Sequence, residues 1–216
     1  MQPKWIIGVD EAGRGPLAGP VSVGVAMVPA GFNWELLPGV NDSKKLTEHK
    51  RAEIFEVAKK LKKAGKLTYA VSLVSAKHID TKGIVPSITK GMHRAIDRVM
   101  KDPFNCVINN TINNTINYAM YDVKLDGGLK APAEFIHQET ITKGDAKEKV
   151  IGLASIMAKV TRDRYMVHIS NKTEFVAYTF AQHKGYGTKK HREAIARHGF
   201  SSEHRKSFCK NIALLE

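Results

Sequence analysis

The sequence predicts an α/β fold, a mixed central sheet flanked by helices, and three features carry that expectation. Apolar and β-branched runs come first, at Trp5–Val9 and Val21–Val28, each bounded by Gly and Pro. Helical periodicities and strand-like runs then alternate toward the C-terminus, the pattern of layers built around a sheet. Hydrophobic residues make up 43% of the 216 residues, enough for a proper core in one large domain or one domain with a small appendage.

Taken in order, "AGPVSVGVAMVP" is nearly continuous in small and apolar residues, as a strand covered on both faces requires. Thr47 caps a helix over Glu48–Ala64, with Ile54, Ala58 and Leu61 on one stripe and Gly65 ending it. "KLTYAVSLVS" resumes strand character. Ser87–Met100 is a second helix, its Ile88, Met92, Ala95, Ile96 and Val99 at helical spacing. "AMYDVKLDGG" reads as a strand that ends at Asp126 before a glycine turn. "DAKEKVIGLASIMAKVTRDRYM" is the longest helical pattern, opened by a capping box of Asp145 with Glu148. Its "GLASIMAKV" portion is assigned to packing. A last helix, Lys189–His198, stops at Gly199. The tandem NNTI of "NCVINNTINNTIN" is too short for a solenoid and reads as an insertion loop or ragged strand. Its sequons at Asn109 and Asn114 matter only in a secreted chain.

Charge narrows the function classes. Thirty-four Lys and Arg against twenty-one Asp and Glu leave a formal +13, a field that attracts polyanions; the same charge also serves plain solubility. No run approaches the ~18 apolar residues of a membrane span, and the acid pair at Asp10 and Glu11 interrupts the N-terminal apolar run before it can act as a signal peptide. The two cysteines, Cys106 and Cys209, have no CxxC spacing. A reducing cytoplasm is the expected location, without disulfides or membrane contact.

Four acids are the candidate chemistry. Asp10 and Glu11 are adjacent, so on a regular strand their side chains point to opposite faces. They converge on one ion only if the strand ends or bulges there, which Gly13 suggests, or if Glu11 offers its main-chain carbonyl. Two carboxylates about 4 Å apart repel by roughly 4 kcal/mol at an effective dielectric near 20, and a hard divalent cation such as Mg²⁺ or Mn²⁺ is the usual remedy. Asp126 ends a strand and Asp145 starts a helix, positions that gather at one edge of an open sheet. Each has a plainer role open to it: a solvated Glu11, a turn Asp126, an N-cap Asp145. Gly13, Gly15 and Gly19 are spaced one residue too long for a dinucleotide fingerprint, and Pro16 sits where a helix would open. What remains is a tight turn around Arg14 whose backbone can approach a sugar and its 2′-hydroxyl.

Six segments in register, "GVDEAGRGPLAGPV", "NDSKKL", "KGDAK", "ASIMAKVTRDRYM", "HKGYGT" and "HGFSSEHRKSF", resemble the motifs of ribonuclease HII from Gly8 to Phe208. The GRG form favours that family over ribonuclease HIII, whose extra N-terminal domain has no room here. The resemblance implies a ribonuclease-H-like fold, with residues 1–188 as catalytic domain and 189–216 as a short helical part packed on it. It implies metal-dependent hydrolysis of the RNA strand of RNA–DNA hybrids and cutting beside single ribonucleotides in duplex DNA. By motif position Asp10, Glu11, Asp126 and Asp145 are the catalytic metal ligands, holding two cations roughly 3.5–4 Å apart. Gly13, Arg14 and Gly15 are the turn that senses the 2′-hydroxyl, and Tyr186 is the aromatic that packs against the deoxy-side sugar. Ser43 and Lys44 are expected on backbone phosphates, where Lys143, Lys147, Arg162 and Lys184 could extend the track or be ordinary surface.

His183, His191 and His204 are expected to be structural or phosphate-facing. The NNTI segment is outside the family pattern and leaves the register of the Asp126 strand open. Nothing demands more than a monomer. Two other classes compete: a binder that lost catalysis, against which the intact acids argue, and a DNA nuclease of related fold, which has no use for a ribose-sensing turn.

Overall fold

A computed structural model of the chain describes residues 3–40, 45–102 and 116–212. Ser43, Lys44 and the sequons at Asn109 and Asn114 lie outside the described residues.

Five strands form one mixed sheet in the order β3-β2-β1-β4-β5. They are β1 (Trp5–Ala12), β2 (Val21–Pro29), β3 (Thr68–Val74), β4 (Tyr121–Asp126) and β5 (His137–Ile141). β1 pairs antiparallel with β2 and parallel with β4, and β5 continues the parallel half. The exposed "HQETI" of β5 carries almost no apolar signal, so sequence reading does not find this strand.

Side chains alternate between the two faces. Trp5, Ile7 and Val9 of β1 join Val21, Val23 and Val25 of β2 on one face, under α3 (Ile84–Met100). On the other face Ile6, Ala26 and Val28 meet α1 (Glu48–Lys63) and the long helix α5 (Lys149–Ser170). α3 starts a turn before the expected Ser87, because Pro86 falls in its first turn, where no N–H is needed. α2 (Ala76–Lys82) precedes it, capped by Ser75. Thr47 caps α1 by accepting the Lys50 N–H, as expected. α5 lies against the sheet at Gly8 and Gly24, where a Cβ would overlap the Val150 and Ala154 carbonyls.

The capping box does not form. A short helix, α4 (Gly144–Lys147), is followed by Glu148 in an extended conformation, and α5 starts anew without a side-chain cap. A Cβ on Gly152 would come within 3.0 Å of the Asp145 carbonyl oxygen, whereas seven residues of continuous helix span about 10 Å. The chain folds back over α5, and Asp145 is carried inward, 1% exposed, instead of capping at the surface.

A C-terminal segment completes the described chain. After α6 (Phe180–His183), α7 (Lys189–His198) has the bounds read from sequence. Ile195 and Cys209 pack on Leu17, and Ala18 bridges to His204.

Candidate active site

Asp10 lies near the end of β1 on the face covered by α5, 3% exposed. Its Oδ1 accepts the Glu11 N–H at 2.7 Å, and Ser155 of α5 adds a side-chain hydrogen bond. One step beyond the last registered pair of β1 and β4, Val9 with Leu125, stands Asp126 on that same face. Asp126 Oδ1 accepts the Gly144 N–H at 2.6 Å, which ties the end of β4 to the residue before Asp145. Three acids distant in sequence thus gather at one end of the sheet.

Glu11 is placed differently from the expectation of a strand end. β1 keeps regular register with β2 through Glu11–Val23 and Ala12–Ser22 and ends at Ala12, without a bulge at Glu11, whose charge still acts on Asp10. The Glu11 side chain pairs with Arg14 at 3.0 Å. Residue 11 could reach an ion held by Asp10 through its main-chain carbonyl, or through its side chain on leaving Arg14.

Burial pushes the Asp10 carboxyl up to about 8. The Ser155 hydrogen bond opposes this, the charges of Glu11 and Asp126 add to it, and the Glu11 N–H opposes it. A carboxyl that resists ionisation beside other carboxylates is the donor chemistry a hard divalent cation fits, since the cation supplies the missing positive charge. As the side chains lie, no three His, Cys, Asp or Glu of the described residues stand in a ligating arrangement. Glu11 is turned to Arg14, and one oxygen of Asp126 to Gly144. Sequence reading gave Ser155 to packing alone; its contact with Asp10 is an addition to the site.

The turn after β1 is built on two buried arginines. Gly13 has φ +86, and a Cβ there would overlap the Arg162 side chain. Arg162, fully buried, donates from Nε to the Pro20 carbonyl at 2.9 Å, from Nη1 to Lys184 at 2.9 Å and from Nη2 to Ala18 at 3.0 Å. It therefore faces the protein and not a phosphate, which corrects the expectation for this residue. Arg205, also fully buried, donates from Nη2 to the Gly13 carbonyl at 2.7 Å, from Nη1 to Arg14 at 3.0 Å and from Nε to Gly19 at 2.9 Å. Burial, then the charge of Arg162, pulls the Arg205 guanidinium down to about 9, which leaves it charged at neutral pH.

Neither arginine was found as structural from sequence. A signal existed for Arg162: Ile151, Ser155, Ala158, Arg162, Met166 and Ile169 recur at i+3 and i+4, so this arginine shares the buried stripe of its helix. Arg205 follows the last helix in a loop and offers no such periodicity.

Arg14 and Gly15 are exposed at the tip of the turn. Tyr186 is 43% exposed, and the loop carrying it is fastened to the turn: Leu17 and Ala18 N–H both donate to the Gly185 carbonyl, at 2.9 and 3.2 Å. Lys159 Nζ lies 5.8 Å from the Tyr186 ring centroid. Lys143 and Lys147 are exposed beside α4, while Lys184 is half-buried and donates to the Ala181 carbonyl at 2.6 Å.

The histidines are structural. His191 Nδ1 is 2.9 Å from the Tyr186 carbonyl, and its Nε2 is 3.0 Å from His204 Nε2. His204 Nδ1 accepts the Ser201 N–H at 2.9 Å. One proton arrangement satisfies the chain, with His204 donating to His191 and His191 donating to Tyr186, and in it both rings are neutral. Burial accordingly holds both well below the usual 6.5, at about 4.

The family model for ribonuclease HII matches residues 7–211. The chain belongs to the ribonuclease HII family. Ribonuclease HII of Caldicellulosiruptor bescii is 40% identical over 98% of this chain and 90% of its own length. That of Clostridioides difficile is 41% identical over 96% of this chain and 71% of its own. The crystal structure of ribonuclease H2 from Pyrococcus horikoshii OT3 superposes with a TM-score of 0.61 at 28% identity, over 96% of each chain. Bst-RNase HIII in complex with Mn²⁺ superposes at 0.62 over 97% of this chain and 70% of that one, and at 16% identity it shows the fold alone. As a ribonuclease HII this chain is a metal-dependent endoribonuclease acting on RNA–DNA hybrids. Its sheet and flanking helices are the ribonuclease-H-like architecture that the motifs implied.

Proposed function

We propose that this ribonuclease HII also incises duplex DNA on the 5′ side of a single embedded ribonucleotide, leaving a 3′-hydroxyl and a 5′-phosphate. The observation that carries the reading is that the exposed Arg14–Gly15 tip follows the acid-bearing strand after a single intervening turn residue, Gly13. A nucleotide whose phosphate lies at the acids has its sugar within reach of that tip.

Asp10, Asp126 and Asp145 would hold the metal through carboxylates, with Glu11 contributing its carbonyl. A pair of divalent ions, Mg²⁺ or Mn²⁺, held by these residues would supply Lewis acidity for activating water and stabilising the leaving 3′ oxygen. Asp10 would be the central ligand: it is buried beside Glu11 and Asp126, and the Glu11 amide and Ser155 hydrogen-bond its carboxyl group. The Gly13–Gly15 turn reads the 2′-hydroxyl, and Tyr186 stacks on the neighbouring deoxyribose, excluding water from one side of the cut. Ser43, Lys44, Lys143 and Lys147 contribute phosphate contacts, which orient the duplex without reading it. The acids and the turn come from one chain, so the reading needs no second copy.

End-labelled duplexes carrying one ribonucleotide, with all-DNA and hybrid controls, test this in Mg²⁺, Mn²⁺ and chelator. The expected product is a metal-dependent cut 5′ of the ribonucleotide with all-DNA intact. Cutting confined to long hybrids would contradict the proposal.

A further inference from the structure

The Gly13 and Arg14 carbonyls both point inward, onto one buried guanidinium, at 2.7 and 3.0 Å. In a planar trans peptide the C=O and the following N–H point in opposite directions, and the described chain has no cis bonds. Turning these two carbonyls in therefore turns the Arg14 and Gly15 N–H groups out, at the exposed tip of the turn. Among the described residues neither amide donates to another protein group. Two adjacent free donors facing the substrate side make a site for an oxygen that can accept, and a 2′-hydroxyl is one while a 2′-hydrogen is not.

We propose that Arg205 is a positioning residue for ribose discrimination: by holding the Gly13 and Arg14 carbonyls it aims two main-chain amides at the 2′ position. This rests on the reading of Gly13–Gly15 as the ribose sensor. Arg162 offers the internal comparison. It is equally buried and spends the same number of donors on carbonyls, but on Ala18, Pro20 and Lys184, none of them in the turn. Lysine at position 205 keeps the charge but loses the planar fork that spans two carbonyls. Arg205 also lies against Phe208, its Cζ 5.3 Å from the ring centroid, so Phe208→Leu loosens the fork without removing it.

The test is equilibrium binding with Ca²⁺ in place of Mg²⁺, using two duplexes that differ in one 2′-hydroxyl. The full-length wild type binds the ribonucleotide duplex more tightly. Arg205→Lys brings that ratio toward one, a loss of ~10-fold for each hydrogen bond forfeited, and leaves the affinity for all-DNA unchanged. Arg162→Lys lowers thermal stability comparably and keeps the ratio. If Arg205→Lys does not fold, Phe208→Leu carries the test through a smaller fall in the same ratio. A ratio that survives in the folded Arg205 or Phe208 variant, or that falls equally in Arg162→Lys, overturns the inference while sparing the sensor reading. A wild type that binds both duplexes equally overturns both.

Discussion

The acid end of the sheet, at Asp10 and Glu11, and the turn that follows it, Gly13–Gly15, are separated in sequence only by Ala12 and opposite in energetics. At the acid end, carboxylates are buried beside one another, and burial with like charge holds Asp10 up at about 8. Behind the turn, two buried guanidinium groups satisfy six carbonyls, two of which, Gly13 and Arg14, belong to the turn itself. The first region holds a buried, like-charged carboxyl group that a cation would relieve; the second has its inward carbonyls held by hydrogen bonds. On the proposed reading, the acid end needs a cation to complete it, whereas the turn is already held in place by the chain itself.

The largest effect expected from breaking this contrast is at Asp10. Asp10→Asn removes a carboxylate of the proposed metal site, and cleavage is expected to fall on the order of 10²–10³-fold or more in steady-state assays. The same change stabilises the metal-free protein. Because the folded carboxyl titrates at about 8 and the unfolded one at 3.8, the wild type loses stability as pH rises between those values. Melting in chelator at pH 7.5 is expected to rise by about 2–4 °C for each kcal/mol of repulsion relieved, and by less at pH 5. An unchanged or lower melting temperature would remove the case for stored repulsion.

The turn responds in the opposite way. Gly13→Ala places a side chain at φ +86 and into Arg162, at a cost of about 1–3 kcal/mol for the backbone alone, with loss of incision at single ribonucleotides. Gly15→Ala meets nothing within 4 Å and is not left-handed, so its melting temperature stays near wild type. Equal destabilisation of the two variants would contradict the picture of a turn fixed at its inner side.

Tyr186→Ala is smaller again. Losing one base or sugar stack costs about 1–3 kcal/mol, and the loss is expected to be larger at a lone ribonucleotide than on a long hybrid; comparison of kcat/KM on the two substrates measures it, and equal losses would argue against junction sensing. The smallest effect is at His191 and His204. Their folded values near 4 lie below the unfolded 6.5, so the unfolded chain takes up protons first. Their contribution is fully present above about 6.5 and drains as pH falls toward 4. Denaturant melts at pH 7.5 and 5 should show that loss in the wild type and a shallower pH dependence in His191→Gln.

Much of this was legible from sequence where local rules decide. The Thr47 cap, the bounds of α7 and the doubly covered β2 follow from caps, glycine stops and apolar patterning. Asp10 and Glu11 stood out because adjacent carboxylates repel, and Asp126 and Asp145 because a strand end and a helix start can gather at one edge of a sheet; the structure brings Asp10, Asp126 and Asp145 to one end of it. Three things were not legible. The break at Glu148 depends on Gly152 packing against a carbonyl seven residues away, which no window of helical periodicity reports. β5 is an exposed edge with no apolar alternation. The arginine pair was missed because charged residues are presumed to be outside; its burial follows from partners more than a hundred residues distant, Ala18 and Pro20 for Arg162 and Gly13, Arg14 and Gly19 for Arg205.

The separation of chemistry from recognition is tested most directly by the affinity of Asp10→Asn for duplexes with and without one ribonucleotide. The account predicts that this variant, unable to cut, still binds the ribonucleotide duplex more tightly than all-DNA by the wild-type ratio measured in Ca²⁺. Loss of that preference together with activity would show that the ribose is read through the metal site and not through the turn.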